Sequence, residues 1–165
     1  MPLPRKFLFS VEDLTAVLHF NPETGIIVNA CRRSNHAKDV LAGGPRVSKE
    51  NNIYYWRIYL FGRSHQAHRL MYYAATGKDP GHLYVDHINQ DTLDNRIENL
   101  RLVTIKENNN NKSIYGSKQV MNEGVKLLDN GLYQINIEDY IYPKLFEKLP
   151  DAIRARYSLL HDYYS

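Results

Sequence analysis

The sequence predicts an α+β fold, on three observations. Short runs of β-branched and aromatic residues recur between Gly, Pro and Asn turns. Helical periodicity is confined to a few short segments. Residues 81–112 read as strand, polar loop, strand and helix. In order, Ser10 is an N-cap with Asp13 three residues on, which predicts a helix over 10–18. Val17-Leu18-His19-Phe20 and Ile26-Ile27-Val28 flank the turn Asn21-Pro22-Glu23-Thr24-Gly25 and predict a hairpin. Arg32 to Lys49 is polar, contains Gly43-Gly44-Pro45, and is expected to be loop. Ile53 to Leu60 reads as a strand, turned by Phe61-Gly62-Arg63 into a short partner that runs through Ala67. His68 to Thr76 has helical character and ends at Gly77, a C-terminal cap glycine.

In the strand–loop–strand–helix segment, Leu83 to Ile88 and Ile97 to Thr104 are the strands. Thr104 and Glu107 stand at the spacing of a capping box, which starts a helix at Thr104. Four consecutive asparagines, Asn108 to Asn111, follow where the helix should propagate. Asn costs on the order of 0.5 kcal/mol relative to Ala in a helix interior, so a function for one of these side chains is expected. A one-turn helix with the asparagines in a loop is the competing reading. Asn110 to Gly124 is the best linker candidate. Beyond it, Gly124 to Ile141 predicts two or three short strands with an Asn130-Gly131 turn. Ile153, Tyr157, Leu160 and Tyr164 recur at helical spacing and predict a closing helix over 150–164.

Composition narrows the class. With 165 residues, 43% hydrophobic, thirteen Tyr and five Phe, the chain has the material for a folded core. No stretch approaches the roughly 20 apolar residues of a membrane span. The opening Met-Pro-Leu-Pro-Arg-Lys lacks the apolar run of a secretory signal. Cys31 is alone, which excludes an internal disulfide and a cysteine-based zinc site. A reducing, cytoplasmic compartment is expected. Residues 1–112 hold 15 Lys and Arg against 11 Asp and Glu, and residues 113–165 hold 6 against 7. That balance is compatible with nucleic acid and does not establish it.

The segment Asp86-His87, Asn99 and Asn108, with intervals of twelve and nine residues, resembles the ββα-metal motif of HNH endonucleases, especially the phage and intron-encoded homing branch. Asp94-Asn95-Arg96-Ile97-Glu98-Asn99-Leu100, Glu107-Asn108 and His68-Arg69-Leu70 carry the same likeness. The resemblance implies a nuclease core over residues 1–112, with its motif at 81–112 and a β-rich N-terminal extension. Residues 113–165 would be a small sheet-plus-helix element, similar to the ethylene-response type of DNA-binding domain through Gly124-Val125 and Gly131-Leu132-Tyr133-Gln134-Ile135. It lacks most of the basic residues such a sheet presents.

The resemblance further implies metal-dependent hydrolysis of double-stranded DNA. His87 would be the general base, suited to it by a pKa near neutrality. Asp86 and Asn108 would give oxygen ligands to Mg²⁺ or Mn²⁺. Asn99 would tie the loop together and orient the base. Arg63, His68, Arg69, Arg96, Arg101 and Lys106 are candidate phosphate contacts. Period two sends Asp86 and His87 to opposite faces of a regular strand, so one site needs the strand to end or bend there. The alternative is a catalytically silent DNA-binding or inhibitor protein on the same scaffold.

Overall fold

The computed structural model describes residues 3–115 and 124–165. Helix α1, Val11–Val17, starts from a complete capping box between Ser10 and Asp13. It runs into β1, Leu18–Asn21, which pairs antiparallel with β2, Ile26–Asn29, as the turn signal predicts. Gly25 closes that turn with φ +76°, and a Cβ there would lie 2.7 Å from backbone atoms of Asn95 and Arg96. The hairpin therefore presses on the loop over 88–96. A bond from the Ile97 amide to the Pro22 carbonyl, 2.9 Å, fastens the two.

A second sheet has the order β3 (Gly44–Val47), β4 (Tyr54–Leu60) and β5 (Arg63–Gln66), all antiparallel. β3 corrects the expectation of loop through 32–49. It is an edge strand, where Pro45 can lie without a missing ladder bond, so the Gly-Pro pair did not mark a turn. Gly44 is also approached by the Arg154 guanidinium, which a Cβ would strike. β5 passes directly into α2, Ala67–Thr76, which ends on Gly77 in the left-handed region.

The ribbon of β6 (Tyr84–His87) and β7 (Leu100–Val103) follows, registered Asp86 opposite Arg101 and His87 opposite Leu100. A single 3-10 turn, Ile97–Asn99, leads into β7. Helix α3, Ile105–Tyr115, packs across both strands. It is longer than one turn, so Asn108 to Asn111 lie within a helix, and the loop reading of them falls. The first part of the expected linker is likewise helical; residues 116–123 lie outside the described residues. The boundary expected at 112/113 falls inside α3.

The C-terminal part is a three-stranded antiparallel sheet of β8 (Val125–Leu127), β9 (Tyr133–Ile137) and β10 (Tyr140–Ile141), in the order β10-β9-β8. Helix α4, Leu149–Tyr164, packs on it. Ile153 and Tyr157 of α4 turn inward as predicted, but Tyr164 is 49% exposed. Both inward residues belong to the main core, with Trp56, Ile58, Leu70 and Met71. Ala152 of the same helix joins a smaller cluster with Ile135 and Ile137. No helix among the described residues is long and apolar enough to cross a membrane.

Candidate active site

Strand β6 alternates: Tyr84 and Asp86 lie on a half-exposed face, Val85 and His87 on a buried one. The strand ends at His87. Its imidazole is 5% exposed, and Nε2 is 2.9 Å from Oδ1 of Asn95, itself 2% exposed. A carbonyl oxygen only accepts, so Nε2 carries the hydrogen and Nδ1 of the neutral ring keeps its lone pair. Burial lowers the His87 pKa, opposed by the Asn95 bond and the nearby Asp86 and Asp94 carboxylates. A neutral base at physiological pH results.

The other side of His87 meets His68 of α2, edge to face with ring centroids 4.7 Å apart. His68 is 4% exposed and its Nδ1 is buried without a hydrogen-bond partner. Burial first, then electrostatic coupling to His87, Arg69 and Arg57, holds its pKa well below the ordinary value. His68 thus packs against the expected base, inside the protein.

Asp86, on the opposite face of β6, receives Nε and an NH2 of Arg101, each at 3.0 Å from Oδ2. Tyr55 of β4 stands near both groups. Its ring lies 6.0 Å from that of His68, and the Asp86 charge, after burial, contributes to raising its pKa. Asn108, 7% exposed, is carried by α3 against the same ribbon.

The loop between the strands is held by asparagines. Asn99 accepts the Asn89 amide on Oδ1, and its Nδ2 donates to Asn89 Oδ1 and the Asp94 carbonyl, all at 2.8–2.9 Å. Its carbonyl receives the Ile88 amide. Asn89 and Asp91 side chains cap the next backbone amides of the loop. These bonds place Asn95 where His87 ends.

The expected phosphate contacts divide. Arg63 on β5 and Lys106 on α3 are exposed. Arg96 pairs with Asp94 at 2.7 Å and Glu98 at 2.9 Å, and Arg101 pairs with Asp86. Arg69 is 7% exposed, and its guanidinium donates to the carbonyls of Leu83, Gly81 and Arg5. It ties the N-terminal segment to the start of β6. His68 is buried as well. Sequence reading missed Asn95, although it stands inside the quoted Asp94-Asn95-Arg96 run; a histidine base needs a partner that sets its tautomer, and that requirement was the available signal. Tyr55 had none, because its place depends on the non-local meeting of β4 and β6.

Among the described residues no group of three or more His, Cys, Asp and Glu side chains surrounds one point. The donors at hand, a carboxylate and a carboxamide, are hard oxygens. They suit a cation that keeps several waters and shares its shell with a phosphate. They do not suit a soft, fully protein-bound metal.

Comparison with known proteins agrees with the motif. The HNH endonuclease family model matches residues 65–110. A protein of Acanthamoeba polyphaga mimivirus described as an uncharacterized HNH endonuclease, L560, is 37% identical over 73 residues. These cover 44% of this chain and 37% of that protein, so the chain spans little more than a third of the relative it matches. The solved structure of the HNH homing endonuclease I-HmuI, described as showing DNA binding and cleavage, is 23% identical with a TM-score of 0.45, over 68% of this chain and 60% of that one. The matched stretch contains β6, the asparagine-held loop, β7 and the start of α3, and over it the chain is similar to HNH endonucleases.

Proposed function

We propose that the protein is a divalent-metal-dependent endonuclease that hydrolyses phosphodiester bonds in double-stranded DNA. The observation that carries the reading is the held histidine: a buried imidazole at the end of β6, its Nε2–H given to Asn95 and its Nδ1 left to accept a proton. His87 takes a proton from the attacking water at Nδ1. Asn95 keeps the ring in that tautomer, and His68 backs it. Asp86 and Asn108 would hold Mg²⁺ or Mn²⁺, which supplies neutralisation of charge on the phosphate and leaving oxygen. Arg101 shares the Asp86 carboxylate and stands ready for a phosphate once the carboxylate turns to another partner.

One observation favours the second reading, a silent DNA-binding protein. The Arg101 guanidinium already occupies an oxygen of the expected ligand Asp86. Incubation of supercoiled plasmid with the protein and Mg²⁺ or Mn²⁺, with a chelator control, separates the two. Cutting that chelation stops supports the nuclease; retention of DNA without cutting in either ion supports the silent protein. His87→Ala should slow cutting about 10²- to 10⁴-fold with DNA affinity nearly unchanged, since it removes proton transfer alone. Parental cutting by that variant would remove His87 as the base.

A further inference from the structure

A recess of about 760 Å³ lies under the N-terminal segment, between α1, β4, β5 and the start of β6. Its walls carry Arg5, Lys6, Arg57 and Arg63, against one lining carboxylate, Asp13. Asp13 is already engaged with the Ser10 backbone as the acidic half of the α1 capping box. Arg5, Lys6 and Arg63 are exposed and form no ion pair among the described residues. Between the cations stand Phe7, Phe9 and Phe61, the last 51% exposed. A face that only meets the backbone of a duplex needs a flat stripe of cations. A recess with aromatic walls and a cationic rim is instead the arrangement that receives an unpaired nucleotide, the base against a ring and phosphates on the rim.

The recess leads to the candidate active site along two separate strands. On β6, Tyr84 lines the recess, and Asp86 lies two residues on along the same face, roughly 7 Å away. On β4, Arg57 lines the recess, and Tyr55, its ring 6.0 Å from that of His68, lies two residues back on the same face. A strand leaving Asp86 along this face enters the recess.

We infer that the recess holds an unpaired segment of the DNA substrate flanking the cleaved bond, its phosphates on Arg5, Lys6 and Arg63 and a base against Phe61. The inference rests on the nuclease reading for the identity of the polyanion. It is tested by binding alone, without divalent metal, so that its failure and a failure of catalysis are told apart. Affinities of the full chain for a duplex oligonucleotide and for the same duplex with a single-stranded overhang are measured across a salt series. The parent should prefer the overhang. Phe61→Ala should lower overhang affinity roughly tenfold and leave the duplex value unchanged. Arg5→Gln, Lys6→Gln and Arg63→Gln together should flatten the salt dependence for the overhang by a slope of roughly two, each lost phosphate contact removing about 0.7–0.9. All four side chains are solvent-facing or at the rim, and an unchanged melting temperature certifies the fold of each variant. Equal affinity for duplex and overhang in the parent, or an unchanged slope in the triple variant, overturns the inference even where plasmid is cut. Loss of slope and of overhang preference in a protein that cuts nothing sustains it while the nuclease reading falls.

Discussion

A neutral histidine can accept a proton at only one nitrogen, and at His87 the choice is made by a neighbour. Asn95 accepts from Nε2 in a site where neither residue reaches water freely. Asn95→Ala should therefore reduce single-turnover cleavage roughly ten- to a hundredfold, because a base displaced from its line of attack loses about that much. Asn95→Asp retains an acceptor and should recover most of the rate; equal rates in parent and Ala variant would leave the bond without a role. His68 gives a pH prediction. Its folded-state pKa is depressed by burial and by positive neighbours, and His87 is depressed by burial, whereas both titrate near 6.5 in an unfolded chain. Below about pH 6.5 the unfolded chain takes up protons that the folded one refuses. Folding stability consequently falls as pH falls through that range, by up to about 1.4 kcal/mol per pH unit per group. His68→Phe should flatten the slope measured by urea unfolding between pH 7 and 5; an unaltered slope would show that His68 protonates without unfolding. The placement of Asp86 and His87 at the end of β6, Asn99 before β7 and Asn108 in α3 was legible because those elements are local. The burial of His68 and Arg69 was not, since it depends on α2 meeting β6 from another part of the chain.

Helix α3 shows how local signals and function compete within one element. Thr104 and Glu107 form the capping box read from their spacing: the Thr104 amide donates to Glu107 at 2.7 Å, and the Glu107 amide donates to the Thr104 hydroxyl at 3.3 Å. Hydrogen bonding to Thr104 lowers the Glu107 pKa, so the cap stays ionised at neutral pH. The asparagines that follow weaken the helix, and the proposed site uses only one of them. Asn108 is buried against the ribbon; Asn109 faces solvent. Asn109→Ala should stabilise the protein by about 0.5 kcal/mol through helix propensity and leave cleavage intact. Asn108→Ala, with the same propensity gain, should lose metal-dependent cutting. Cutting by the Asn108 variant at the parental rate would end its assignment as a ligand. Elements with a local start or stop were legible: α1 from Ser10, α2 from Gly77, the first hairpin from its Asn-Pro-Glu-Thr-Gly turn. β3 was not, because Gly44 and Pro45 are strand residues only by virtue of β4 beside them.

The two parts of the chain differ in charge but share their packing. The recess and the exposed candidate contacts Arg63 and Lys106 lie in residues 1–112, the part with the cationic excess, while the C-terminal part has a slight acidic excess. Helix α4 nonetheless belongs to both. Tyr157 stacks on Trp56 of β4 with ring centroids 4.4 Å apart, and Arg154 donates to the Gly43 carbonyl. One turn away on the same helix, Ala152 closes the cluster formed with Ile135 and Ile137. The C-terminal element is thus a brace for the core of the preceding part as well as a sheet in its own right. Tyr157→Ala should cost about 3–5 kcal/mol, as large aromatic truncations in cores do. At roughly 2–4 °C per kcal/mol for a chain of this size, the melting temperature should fall by about 10 °C. Trp56 is the single tryptophan, so its fluorescence reports on β4 and its surroundings, while far-ultraviolet circular dichroism reports on the whole chain. Both signals should shift together in the Tyr157 variant. A tryptophan transition that stays at the parental temperature while the dichroism transition moves would show that the two parts unfold separately, and that α4 does not hold the core.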